Sequence, residues 1–66
     1  MAVLKVIEVL SNSNKSFEDA IEKAIKKADK TLKNIRSANV QNMSVAVEGG
    51  KIKEYRVNIH ITFELE

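Results

Sequence analysis

The sequence predicts an α+β fold: a β-α-β-β subunit whose three-stranded antiparallel sheet, in the order 2-3-1, packs on one helix within a single domain, residues 1–66. Three features carry this expectation. A run rich in Val, Ile and Leu opens the chain, a stretch with the three-and-four spacing of a buried helix follows, and the second half alternates apolar and polar residues on either side of a Gly-Gly pair.

Ala2 to Leu10 reads as the first strand, with apolar residues on both faces: Val3, Ile7 and Val9 on one parity, Leu4, Val6 and Leu10 on the other. Such a strand needs cover on both sides. One helix covers one face of a small sheet, so the second face requires material that a single copy does not contain. The polar cluster Ser11-Asn12-Ser13-Asn14-Lys15 then reads as a turn, and Ser16 followed by Asp19 marks a helix N-cap with an acidic first turn.

From Phe17 the apolar positions run Phe17, Ala20, Ile21, Ala24, Ile25, Ala28, Leu32 and Ile35, which is one buried stripe. The opposite face carries Glu18, Glu22, Lys23, Lys26, Lys27, Asp29, Lys30 and Lys33. Acid early and base late suits the helix dipole, and Glu22 stands four residues before Lys26, the favourable orientation for a pair. This is the solvated side of a capped helix.

Ser37 to Val47 reads as the second strand, with Val40 out of phase with Met43, Val45 and Val47, which predicts a bulge or kink near Gln41-Asn42. Glu48-Gly49-Gly50-Lys51 is a tight hairpin connection in which glycine takes the positive φ such turns require. The last segment places Tyr55, Val57, Ile59, Ile61, Phe63 and Leu65 on one face and Glu54, Arg56, Asn58, His60, Thr62 and Glu64 on the other. The apolar set belongs against the helix. A long last strand pairing with both others gives the order 2-3-1.

At 66 residues the chain sits where a fold hides only roughly 60% of the surface its unfolded chain exposes. Chains of this size lean on disulfides, a metal or oligomerisation. With no Cys and one His, oligomerisation is the expected support. The lack of Cys also fits a reducing compartment, and no stretch has the length of a signal h-region or a membrane span, so a cytoplasmic location is expected. The net charge of +2, from 11 basic and 9 acidic residues, is mixed along the helix and argues against nucleic-acid binding. One Tyr, two Phe and no Trp leave few aromatics for stacking single strands.

No pairing of nucleophile and base can be assembled around His60, which lies on a strand between Asn58 and Thr62. The chain is therefore not expected to be an enzyme. Glu18, Asp19 and Glu22 place three carboxylates in the first helical turns, an arrangement able to take a divalent cation if water or a neighbouring copy adds oxygens; helix dipoles attract acids to the same place unaided. The two glycines are not a phosphate loop, because no helix follows them. The polar row Arg56, Asn58, His60, Thr62 either faces water or lines a groove between copies, where Arg56 suits a planar or anionic ligand.

Lys5-Val6-Ile7-Glu8-Val9, Ser16-Phe17-Glu18-Asp19-Ala20, Lys30-Thr31-Leu32-Lys33-Asn34-Ile35-Arg36 and Tyr55-Arg56 leading to Phe63 together resemble the dodecin family over nearly the whole chain. That resemblance implies a β-α-β-β subunit, a hollow homododecamer of cubic symmetry, and storage of riboflavin or FMN between stacked aromatic side chains without turnover. Flavin-binding members carry a Trp where this chain has Ser37 and a Gln where it has Arg56; Asn42 falls where they direct a polar or acidic residue toward the ligand. By analogy with base stacking, about 1–3 kcal/mol per ring, loss of the Trp predicts flavin binding weaker by about one to two orders of magnitude. Some dodecin-like proteins without the Trp bind cations such as calcium instead, so the resemblance makes Glu18, Asp19 and Glu22 the alternative site and a divalent cation the alternative ligand.

Overall fold

The computed structural model describes residues 2–66; of the expected domain 1–66, residue 1 lies outside the described residues. In chain order the elements are β1 (Leu4–Ser13), α1 (Phe17–Asp29), β2 (Ile35–Glu48) and β3 (Lys51–Glu64). β3 lies between the other two and pairs antiparallel with both, giving β1-β3-β2. Both the element order and the sheet order agree with the sequence reading.

The helix starts where its cap residue says it should. Ser16 has extended backbone (φ −169°, ψ 166°), and its hydroxyl accepts the Asp19 amide proton at 3.0 Å, satisfying one of the donors a helix leaves free at its first turn. Ser13 reinforces the entry. It is buried, its hydroxyl donates to the Asp19 carboxylate at 2.6 Å, and it accepts from the amides of Lys15 at 2.9 Å and Ser16 at 3.4 Å.

Three boundaries depart from the sequence expectation. β1 runs on to Ser13, because Ser11, Asn12 and Ser13 continue the ladder opposite Val57, Arg56 and Tyr55; polar residues form strand here because the central partner supplies the hydrogen bonds. The helix stops at Asp29, short of Leu32 and Ile35. Thr31 and Leu32 fold their amides back onto the Ala28 carbonyl, and Asn34 adopts φ 62°, a left-handed conformation Asn tolerates better than most residues. That turn reverses the chain so that Ile35 opens β2 opposite Phe63.

The core is small. Its buried apolar residues are Ala20 and Ala24 of α1 and Val57, Ile59 and Ile61 of β3, with Ile7, Val9, Ala28, Ile35, Ala38 and Val40 packed around Ala24, Ile59 and Ile61. The alanines let the helix lie close to the sheet. The register shift between Val40 and Asn42 is the expected bulge, and it brings Met43 and Val45 back into phase opposite Val57 and Tyr55. Gly49 (φ 59°) and Gly50 (φ 75°) close the hairpin with the two positive φ values of a type I′ turn.

What the helix does not cover is equally clear. Leu4, Val6 and Leu10 lie on the other face of β1 and stay exposed, Leu10 at 75%. Beyond Tyr55, where β1 ends, β2 and β3 continue as a two-stranded arm along a molecule measuring 51 × 20 × 13 Å. That arm exposes Val47 and Ile52, with Met43 and Val45 near its base.

Candidate functional site

Residues directly opposite one another across a ladder share a face, so the register defines the sheet surface away from the helix. On it, Leu10, Asn58 and Asn42 form one rung across β1, β3 and β2, and Asn12, Arg56 and Ser44 form the next. These two rungs line an open concavity of about 450 Å³. The bulge at Gln41 matters here, since it sets Asn42 and Ser44 on the same face as Asn58 and Arg56.

The concavity is polar and carries one cation. The Arg56 guanidinium remains half exposed and, among the described residues, has only a distant Nη2 to Glu54 Oε1 contact of 3.8 Å. Asn58 presents the opposite need: its Oδ1 is buried and accepts no hydrogen bond among the described residues. Among the described residues no carboxylate lines the space. It therefore offers a donor fork at Arg56 with side-chain amides and a hydroxyl from Asn12, Asn42 and Ser44.

Of the residues expected from sequence to bind ligand, Arg56 and Asn42 come together in this concavity. Ser37 shares the face but sits elsewhere. It pairs with Thr62, six residues from Arg56 along β3 and so about 20 Å away, and it does not line the concavity. Asn12 and Ser44 were not identified from sequence: Asn12 looked like part of a turn, and Ser44 gains its place only through the bulge.

His60, the next rung along, faces Glu8 across β1 and Asn39 across β2. Its Nε2 lies 3.5 Å from Glu8 Oε2, a contact that is an ion pair only when the imidazole is protonated. Neither neighbour is a Ser, Thr or Cys that His60 could activate by taking a proton.

The three helix carboxylates do not converge within one copy. The Asp19 Oδ2 atom is engaged by Ser13 and by Lys23 at 3.3 Å, and the Ser13 hydrogen bond, aided by Lys23, holds its carboxyl below the ordinary value of 3.8. Glu18 and Glu22 stay exposed. Among the described residues, no group of three or more His, Cys, Asp or Glu side chains is placed to hold a metal ion. A second, apolar concavity of about 390 Å³ lies between α1 and β1, lined by Ile7, Val9, Ala24, Ala28 and Leu32 with Lys23 and Lys27 at its rim. Among the described residues no helix is long and apolar enough to cross a membrane.

A helix laid on one side of a three-stranded antiparallel sheet in the order β1-β3-β2 defines a small α+β subunit. The model of one such family, the dodecins, matches residues 3–66, and the chain belongs to that family. It is 31% identical over 65 residues to the calcium dodecin of Mycobacterium tuberculosis, covering 98% of this chain and 92% of the relative. It is likewise 31% identical over 64 residues to the dodecin of Thermus thermophilus, covering 97% and 93%. Crystal structures agree: a mutant of the T. thermophilus dodecin superposes with a TM-score of 0.94 at 30% identity, covering 100% of this chain and 98% of that one. The M. tuberculosis calcium dodecin, a calcium-chelating antigen, superposes at 0.84 and 30% identity, covering 97% and 91%.

Proposed function

We propose that this chain, acting as one domain in the cytoplasm, assembles into a hollow homododecamer that binds and stores a small molecule between copies and performs no turnover. The observation that carries the reading is the uncovered apolar surface of β1, Leu4, Val6 and Leu10, continued by the exposed arm residues Val47 and Ile52. A 66-residue protomer with that much exposed apolar side chain gains stability by burying it against copies of itself. Family membership supports the dodecameric form.

The ligand pocket of the assembly is formed around Ser37, Arg56 and Asn42. Ser37 stands too far along the sheet to act with Arg56 of its own copy, so the two would meet only across a subunit interface. Riboflavin or FMN is the family ligand, held here without a stacking Trp. Titrating the assembled protein with riboflavin while following flavin fluorescence tests this directly. Saturable quenching is expected, and its absence at high micromolar flavin would remove flavin from the account.

The resemblance to the calcium dodecin of M. tuberculosis favours a second reading, in which a divalent cation is the ligand and Glu18, Asp19 and Glu22 of one copy combine with groups from another. Calorimetry with calcium and magnesium on chelator-treated protein tests it; no heat with either ion would end it.

A further inference from the structure

The stripe on β1 left bare by the helix is not wholly apolar. Leu4, Val6, Glu8 and Leu10 are successive residues on that face, and neighbours on one face of a strand stand only about 7 Å apart. A copy that covers both Val6 and Leu10 therefore also covers Glu8. In the lone protomer the Glu8 side chain is 60% exposed and keeps most of its water. Once the face is covered it loses that water, and a carboxylate taken out of water needs a partner.

His60 is placed to be that partner. It stands opposite Glu8 in the ladder, with Nε2 3.5 Å from Glu8 Oε2. Asn39, on the other side of His60, carries no charge. Among the described residues the next charged groups of β3 on this face are Arg56 and Glu64, each two rungs from His60 and so about 13 Å away. Arg56 lies near Glu54, and Glu64 already holds Arg36 of β2 at 3.1 Å. α1 lies behind the sheet, where Ala24 packs with Ile59 and Ile61, and its lysines belong to that side. Glu8 thus depends on a cation whose charge is set by pH, since imidazole is the side chain that changes charge between about pH 5 and 8.

We propose that the Glu8–His60 rung couples self-assembly to pH: the contact between copies that buries Val6 and Leu10 closes more tightly when His60 carries a proton and loosens as that proton leaves. The inference rests on the reading that other copies cover this face of β1. With His60 protonated, the rung enters the contact as a neutral pair. With His60 neutral, it enters as a bare negative charge, which costs more to bury. Assembly then takes up protons, and an equilibrium that takes up protons is favoured as pH falls. The direction is opposite to that of the overall charge. The chain carries +2 at neutral pH, so acidification adds like charge to every copy and by itself opposes assembly.

The test is sedimentation velocity on dilution series of the full-length protein at about pH 5.5 and about pH 8.5, on either side of the imidazole range, near physiological salt. Where the particle does not dissociate on dilution, the same subdenaturing urea concentration is added at both pH values. The concentration at which half of the chains are dissociated should be lower by about tenfold at the acidic pH. Glu8→Gln removes the negative charge and leaves protonated His60 as the bare one, so its trend should reverse. His60→Gln keeps the carboxylate without a titrating partner, so it should dissociate at both pH values as the parent does at the alkaline one. Both side chains are more than a third exposed in the protomer, outside its core.

Equal half-dissociation concentrations at the two pH values in the parent, or a parent-like trend in E8Q, overturn the proposal and leave the assembly reading intact. A species of one chain's mass at both pH values defeats both. Should E8Q fail to assemble at either pH, H60Q decides: a parent-like pH dependence overturns the proposal, and its loss supports it.

Discussion

Replacing Val6 and Leu10 together by Ser separates the stability of the protomer from that of its assembly. Val6 is 52% and Leu10 75% exposed, so the parts buried within one protomer are the smaller ones, and the double change costs the isolated chain about 1–2 kcal/mol. Fully burying a Val or Leu side chain contributes about 1.5–3 kcal/mol. Scaled by the fractions left in water, covering them in the assembly contributes about 1 kcal/mol for Val6 and about 2 kcal/mol for Leu10. The sum, about 3 kcal/mol per copy, corresponds to roughly a hundredfold weakening of each association contact, repeated at every subunit. Sedimentation velocity across the micromolar range, with thermal unfolding at the same concentrations, reads both quantities. The variant should dissociate on dilution and show a melting temperature that rises with concentration. An unchanged particle with an unchanged melting temperature would refute the argument that this face is covered.

Other consequences are local. Ser16→Ala removes the acceptor for the Asp19 amide and should lower stability by about 1 kcal/mol, measured as the shift in urea midpoint of the assembled protein. Ile59→Ala hollows the centre of the core, where Ile59 is fully buried, and should cost about 2–5 kcal/mol; a loss under 1 kcal/mol by the same assay would place the core elsewhere. The Asp19 carboxyl lies below its ordinary value of 3.8, so its contribution is fully present above that pH and disappears as pH falls through the lower folded value. Asp19→Asn should therefore reduce stability at neutral pH and flatten this acid limb, as followed by circular dichroism. An acid limb identical to that of the parent would contradict the Ser13–Asp19 assignment.

The sheet order and hairpin were legible because their signals are local and strong: a period-2 run from Tyr55 to Leu65, a Gly-Gly turn and a phase break after Val40. The helix end was not. Leu32 and Ile35 continue the helical spacing in sequence, but Ile35 reaches the same core from β2, after a reversal at Asn34 that apolar periodicity cannot register. Ser11 to Ser13 looked like a loop for a related reason: their composition is that of a turn, and only pairing with β3 makes them strand.

For the candidate site, Arg56 could be named because it stands in a regular alternating row, and Asn42 only through the resemblance to the dodecins. Their grouping with Asn12, Ser44 and Asn58 depends on cross-strand register, which joins residues more than 40 positions apart. The separation of Ser37 from that group follows from the same register. The resemblance gave Ser37 and Arg56 both as pocket positions, and only the ladder shows that they share a face and how far apart they sit.

The most direct measurement is the molar mass of the unaltered protein by light scattering during size-exclusion chromatography, repeated on dilution to low micromolar. A closed shell of twelve 7.4 kDa copies, about 89 kDa and persistent on dilution, is the expected result for an assembly of cubic symmetry. A stable, folded species of one chain's mass would contradict the claim that the bare face of β1 is buried against other copies.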